Sequence, residues 1–326
     1  MSKRSMVTAA MCIAIFLTLL CGPRDSFSKE WPSSSITMIV PWGAGGATDL
    51  ISRMLAETLH KSLGVPVIVE NKTGAAGLLG LGVLAKAKPD GYTLSFMSCT
   101  AITEKPFLKK VPFDPIKGFS YICQVFNYSY GFAVKADAPW KTFQEFVEAA
   151  KKQPGKLTVS TSGIGSTMHV ALAKLEDRIP GFKVKVVPYQ KSTDVVLAAL
   201  GGHVNACFQT QEWAPYVASG QLRLLAAPQK ERLPDYPNVP TWLDLGYGVY
   251  ARSQGAYVAP AGLPETIREK LEREFKKAMD YPGFKDLIKK YSMTEFYKPG
   301  KELYEELMAM YGENKAFIPK LGIVEE

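Results

Sequence analysis

An α/β fold, built from mostly parallel sheets flanked by helices, is predicted by three observations. Short β-branched runs alternate with amphipathic segments almost to the end of the chain, which is the pattern of βαβ units. Two glycine-rich turns each join a strand to a helix. The composition, 47% hydrophobic and 21% charged residues, suits a packed core and excludes a disordered or collagenous chain. A length of 326 residues suggests about two domains.

The N-terminus reads as an export signal. Lys3 and Arg4 precede an apolar run from Met6 to Cys21, and a polar stretch then ends in Ser26, Phe27 and Ser28. A basic start, a short apolar run and small residues at the cut place cleavage after Ser28, with residues 1–28 removed. The alternatives are an uncleaved anchor, for which the run is short, and a lipoprotein cut before Cys21, where Leu20 is larger than the usual preceding residue.

Beyond the signal, Ser35 to Val40 is predicted as a strand. Asp49 to Leu63 is a helix with Leu50, Ile51, Met54, Leu55 and Leu59 on one face and Gly64 as its stop. Val65 to Val69, Leu78 to Lys86 and Tyr92 to Met97 follow as strand, helix and strand. Thr142 and Glu145 form a capping-box pattern ahead of Phe143, Phe146, Val147 and Ala150, so a helix starts there. Strands at Leu157 to Thr161 and Lys183 to Val187 alternate with helices at Met168 to Leu175 and Thr193 to Leu200. Val204 to Phe208, Leu222 to Ala226 and Gly255 to Val258 are further strands. Helices at Pro264 to Met279, Gly283 to Tyr291 and Lys301 to about Asn314 close the chain.

The formal charge is +8, from 39 Lys and Arg against 31 Asp and Glu. Removing 1–28 leaves 36 against 30, with the basic residues interleaved with acids throughout. A nucleic-acid binder gathers its cations on one face or segment, so nucleic acid is not an expected partner. Cys99, Cys123 and Cys207 remain after the cut, far apart and without a CxxC or Cys/His cluster, so no metal site is expected. They read as small buried hydrophobes, one disulfide being the alternative.

The two junctions are Val40-Pro41-Trp42-Gly43-Ala44-Gly45-Gly46-Ala47-Thr48-Asp49 and Ser160-Thr161-Ser162-Gly163-Ile164-Gly165-Ser166-Thr167. A helix start carries N–H groups without internal partners and the positive end of the helix dipole, so it suits an anion. Ordinary αβ turns are the alternative for either loop alone, while two together favour a site between lobes. An enzyme reading rests on Gly43-x-Gly45 after a strand and Glu70 at the end of the next, which imitates a dinucleotide fingerprint. The imitation is incomplete, since its sixth position is Thr48. No GxSxG, HExxH or phosphate-binding lysine loop is present. His60 and His203 read as structural, and His169, in the first turn after the second loop, as packing or as a ligand contact.

The chain resembles the periplasmic solute-binding proteins of tripartite tricarboxylate transporters, the Bug-type family. The resemblance rests on VPWGAGGATD (40–49), VIVENKTGAAG (67–77), AKPDGYTL (87–94), FDPIKGFS (113–120), PGKLTVSTSGIGSTMH (154–169), VVPYQ (186–190), LGGHV (200–204), SGQLRLLA (219–226) and VPTWLDLGY (239–247), in that order and spacing. It implies a two-lobed periplasmic-binding-protein fold of type II with the ligand cleft between lobes. Residues 29–134 plus 252–326 would form the first lobe and 135–251 the second, with 23 basic against 20 acidic residues in one and 13 against 10 in the other. It further implies a periplasmic, non-enzymatic, monomeric receptor that needs no cofactor, captures a small carboxylate and delivers it to membrane permease subunits.

Carried over by position, the ligand-binding residues are Trp42, Gly43, Ala44, Gly45, Gly46, Ala47 and Thr48 on one side. Ser162, Gly163, Gly165, Ser166, Thr167 and His169 face them, with Ser98 and Thr100 at the end of the third strand. Two departures add candidates. Tyr189 is followed by Gln190 and Lys191 where the family has Gly, and Phe208 is followed by Gln209 where it tends to have Asp. A carboxylate lost at Gln209 and an ammonium gained at Lys191 would favour a more anionic ligand, the alternative being that Lys191 points to solvent.

Overall fold

In the computed structural model, which describes residues 30–252 and 254–322, the strands fall into two sheets. The signal read at 1–28, with Cys12 and Cys21, lies outside the described residues. In chain order the strands are β1 (Ile36–Val40), β2 (Val67–Asn71), β3 (Thr93–Ser98), β4 (Phe119–Asn127), β5 (Gly131–Lys135), β6 (Thr158–Thr161), β7 (Lys185–Pro188), β8 (Ala206–Gln209), β9 (Leu222–Ala226), β10 (Gln254–Pro260) and β11 (Thr294–Pro299). Six of them form one sheet in the order β11-β4-β10-β3-β1-β2, and five form the other in the order β7-β6-β8-β5-β9.

Each sheet is mixed rather than mostly parallel, which corrects the sequence expectation in that respect. β1 runs parallel to β2 and β3, and β6 to β7 and β8. β10 is antiparallel to β3 and β4, β11 to β4, and β5 to β8 and β9. The reason is the path of the chain. β4 leads out of the first sheet and β10 leads back in, so they run in opposite directions. The change of sheet falls between Asn127 and Gly131, a few residues before the expected position 134, because all of β5 pairs in the second sheet.

The helices are α1 (Ala47–Leu63), α2 (Leu78–Leu84), α3 (Thr100–Thr103), α4 (Phe143–Lys152), α5 (Thr167–Arg178), α6 (Ser192–Leu200), α7 (Ala214–Ala218), α8 (Glu265–Met279), α9 (Pro282–Lys290) and α10 (Gly300–Phe317). Their local signals act as the sequence suggests. α1 buries Ile51, Leu55 and Leu59 completely and stops at Gly64, whose φ of 73° is the left-handed value a glycine adopts without penalty. At α4 the cap forms as expected, Thr142 Oγ1 accepting the Glu145 N–H at 3.2 Å, while Glu145 Oε2 reaches one residue past the cap to accept the Lys141 N–H at 2.6 Å. No helix among the described residues is long and apolar enough to cross a membrane.

Three strands escape the sequence reading. β4 and β5 occupy the stretch between 97 and 142 where no element is expected, and β11 follows α9. β4 is buried almost throughout, its polar Gln124 included, so its sequence lacks the alternation that marks a half-buried strand.

Each sheet has its own core. Ile39, Leu81, Met97, Val258, Leu303 and Leu307 pack in the first, and Phe132, Phe143, Phe146, Phe208 and Trp242 in the second. A smaller cluster of Leu108, Val170 and Ile318 joins α5 to residues flanking the first sheet. Beside it Lys174 Nζ donates to Asn314 Oδ1 at 2.7 Å, and Asn314 Nδ2 to the Thr103 carbonyl at 2.8 Å. These contacts join α5 to α3 and α10. Cys99, Cys123 and Cys207 are free thiols in buried positions.

Candidate ligand-binding site

The first glycine loop ends at Gly46, the N-cap of α1, with φ −75° and ψ 166° and no side-chain cap. The first intrahelical bond runs from the Leu50 N–H to the Gly46 carbonyl at 3.0 Å. The N–H groups of Ala47, Thr48 and Asp49 therefore have no partner within the helix, and they lie at the positive end of its dipole.

Asp49 fixes this loop. It is 1% exposed. Its Oδ2 accepts the Gly45 N–H at 2.8 Å and Arg53 Nε at 3.0 Å, and its Oδ1 accepts Asn71 Nδ2 at 2.8 Å. Asn71 Nδ2 also reaches the Trp42 carbonyl at 2.9 Å. Burial alone would raise the Asp49 pKa, but hydrogen bonds from Arg53, Gly45 and Asn71 outweigh it and hold the carboxyl below its ordinary value. One turn on, Ser52 Oγ and the Tyr257 hydroxyl lie 2.7 Å apart in the interior, tying α1 to β10.

The second loop has the same outline and a different electrostatic state. Ser166 caps α5 by accepting the His169 N–H at 3.3 Å, and His169 Nδ1 accepts the Gly165 N–H at 3.1 Å. Thr167 Oγ1 donates to Glu104 Oε2 at 3.1 Å, a carboxylate 3% exposed. A carboxylate of the chain itself thus sits at the start of α5. Each helix start has a carboxylate of the chain beside it, Asp49 in the first turn of α1, held by Gly45, Arg53 and Asn71, and Glu104 at α5, but only α5 has a side-chain cap.

A cavity of about 690 Å³ opens between the two loops. Of the residues expected from the sequence it is lined by Trp42, Gly46, Ala47, Thr48, Ser98, Thr100, Ser162, Ser166, Thr167 and Gln209. Gly43, Ala44, Gly45, Gly163, Gly165, His169 and Lys191 do not line it. Gly45, Gly163 and Gly165 form the left-handed turns of the loops, at φ 82°, 80° and 68°, and Gly43 and Ala44 are exposed. His169 is turned back onto its own loop. Lys191 is exposed at the start of α6, so the ammonium expected near the cleft is absent from its lining.

Gln209 is 1% exposed. Its Nε2 donates to Ser162 Oγ and its Oε1 accepts the Thr210 N–H at 2.8 Å. Three residues on, Glu212 lines the same cavity and brings a carboxylate to it. The sequence reading also passed over Asp49, Tyr128, Tyr130 and Gln211 on the cavity wall. Tyr128 was findable only through its partner: its hydroxyl lies 3.0 Å from Thr48 Oγ1, across 80 residues of sequence. A smaller hollow of about 430 Å³ shares Glu104 and Thr167 but contains none of the first loop, and mixes Lys174, Arg178 and Arg252 with Asp177 and Glu313.

The His169 geometry has a pH consequence. Nδ1 must be unprotonated to accept the Gly165 N–H, and burial lowers its pKa, opposed in part by Glu176. A lowered folded-state pKa means that stability is complete above about 6.5 and falls as pH drops below that value toward the folded pKa, because the unfolded chain takes up the proton first. His169→Asn keeps an acceptor and removes the titration. Melting curves between pH 7 and 5 are expected to show a smaller loss of stability in the variant than in the wild type, and equal losses would remove His169 from this role.

The sequence and the fold are similar to those of known proteins. Residues 51–323 match the family described as the tripartite tricarboxylate transporter family receptor. A UPF0065 protein from the gbd 5′ region of Cupriavidus necator is 37% identical over 309 residues, covering 95% of this chain and 94% of its own. The structure is similar to that of a ligand-free TctC solute-binding protein from Polaromonas, with a TM-score of 0.79 and 30% identity over 89% of this chain and 99% of that one. It is also similar to the periplasmic binding protein BugD, with a TM-score of 0.72 and 27% identity over 91% and 100% of the two chains. Its two flanked sheets are the two-lobed fold of these proteins, and the chain belongs to the tripartite tricarboxylate transporter receptor family.

Proposed function

We propose that the protein is a periplasmic receptor that captures a small organic acid between its two lobes and presents it to the membrane permease of a tripartite transporter. It acts as a monomer without a cofactor and without turning the ligand over. The observation that carries this reading is the uncapped start of α1 opening into the cavity. There the N–H groups of Ala47, Thr48 and Asp49, without partners inside the helix, offer donors to a carboxylate, beside Trp42, whose indole Nε1 is buried and unpartnered among the described residues. Thr48, Ser98 and Thr100 add hydroxyls. The export signal read at 1–28 and the periplasmic relatives support the location.

In this reading the lobes change over near residue 130 and again near 252, the strands before and after these points belonging to the first sheet and those between to the second. Closure of one on the other must favour the bound form, because a ligand shifts an equilibrium only by its differential affinity for the two states. Thermal shift against mono-, di- and tricarboxylates tests the function. A ligand present at 100 times its dissociation constant stabilises by about 2.7 kcal/mol, a rise of several degrees. No movement of the melting point with any carboxylate, or consumption of the acid, would overturn the reading.

A further inference from the structure

The cavity has an acceptor pole as well as a donor pole. Gln211 and Glu212 lie in the turn between β8 and α7 and line the wall contributed by the second sheet. Gln211 Oε1 is buried without a hydrogen-bond partner among the described residues, and a buried acceptor left unanswered is destabilising. Glu212 Oε2 accepts the Thr210 hydroxyl at 2.7 Å, and no cation among the described residues pairs with it.

Three of the other charges on the wall have partners. Asp49 is held by Arg53, Glu104 takes the Thr167 hydroxyl, and Lys105 is engaged by neighbouring groups. Lys290 is exposed, with its ammonium 5.6 Å from the Tyr291 ring centre. Burial raises the Glu212 pKa, against the Thr210 hydrogen bond, so its charged form lacks the stabilisation that a cation would supply. A second ligand carboxylate at this wall would meet a like charge and a lone pair.

We propose that Gln211 and Glu212 recognise an ammonium group, so that the preferred ligand is an acid carrying its carboxylate at one end and a protonated amine at the other. This rests on the proposed function, the carboxylate being held at α1. An ammonium answers both groups, giving one hydrogen bond to Gln211 Oε1 and a charge-assisted bond to Glu212.

Titration calorimetry with linear ω-amino acids, from β-alanine to ε-aminocaproate, against the ω-hydroxy acids and diacids of matched length tests it. In the wild type the best amino acid is expected to bind at least tenfold more tightly than its hydroxy or diacid counterpart. Glu212→Gln, which keeps shape and the Thr210 contact, is expected to remove that preference while retaining the hydroxy acid's affinity. Diacids or hydroxy acids binding as tightly as the amino acids, or a preference unchanged in Glu212→Gln, would overturn the ammonium assignment and leave the carboxylate receptor standing. Failure of all three series together with the wider carboxylate panel would remove the receptor reading itself.

Discussion

Gly46→Asp is expected to abolish carboxylate binding while leaving the melting temperature unchanged or slightly raised. The fold tolerates the side chain. Gly46 has extended φ and ψ that any residue adopts, and an added Cβ would meet only the Gly43 carbonyl, at 3.6 Å, an ordinary contact. Asp is also a better N-cap than Gly by a few tenths of a kcal/mol, because its carboxylate accepts the N–H groups of the second and third helical residues. Those groups are the Thr48 and Asp49 donors assigned to the ligand. The substitution installs an internal competitor of the same charge as the ligand at the same atoms. Losing two charge-assisted bonds at about 1.5–3 kcal/mol each weakens binding by at least about a hundredfold. Retained affinity in a folded variant would place the anion elsewhere.

The largest stability effect is expected at Trp242. It is fully buried in the second core, with its ring centre 5.5 Å from that of Phe143 and 5.3 Å from that of Phe208. Trp242→Ala removes the bulk around which these rings pack and should cost about 3–5 kcal/mol in urea denaturation. Trp242→Phe is the informative control. The indole Nε1 has no hydrogen-bond partner among the described residues, so Phe deletes no bond, relieves an unsatisfied donor and should cost much less. A loss for Phe as large as that for Ala would mean that the indole nitrogen, not the volume, matters there.

The legible parts of the fold were those with local causes. Leu55 and Leu59 mark the buried stripe of α1, Gly64 its end, and Thr142 with Glu145 the start of α4; each is decided within a few residues and reads the same in chain and structure. β4 was not legible because burial on both faces erases the alternation that identifies a strand. The direction of β10 was hidden for another reason. It is set by where the chain returns after the second sheet, not by anything in its seven residues.

The site divided along the same line. The glycine loops announced themselves as strand-to-helix turns, and Gly46, Ala47 and Thr48 do line the cavity. What the loops do with their donors depends on distant side chains. Glu104 lies 63 residues from the Thr167 hydroxyl it accepts, and nothing near position 167 reveals it. Lys191, read as a cation for the cleft, is turned outward at a helix start, while Glu212 enters the cavity through a turn that carries no motif. What stands beside each helix start, Asp49 from the first turn of α1 itself and the distant Glu104 at α5, is therefore in part a tertiary property of two similar local sequences.

The most direct measurement is calorimetric titration of the mature protein with the acid that most raises its melting point, beside the primary amide of that acid at the carboxylate proposed to meet α1. Binding at one site per chain, weakened by about a hundredfold or more on conversion to the amide, is the predicted result, because the α1 N–H groups and the helix dipole act on the charge. An amide that binds as tightly as its acid would contradict the account.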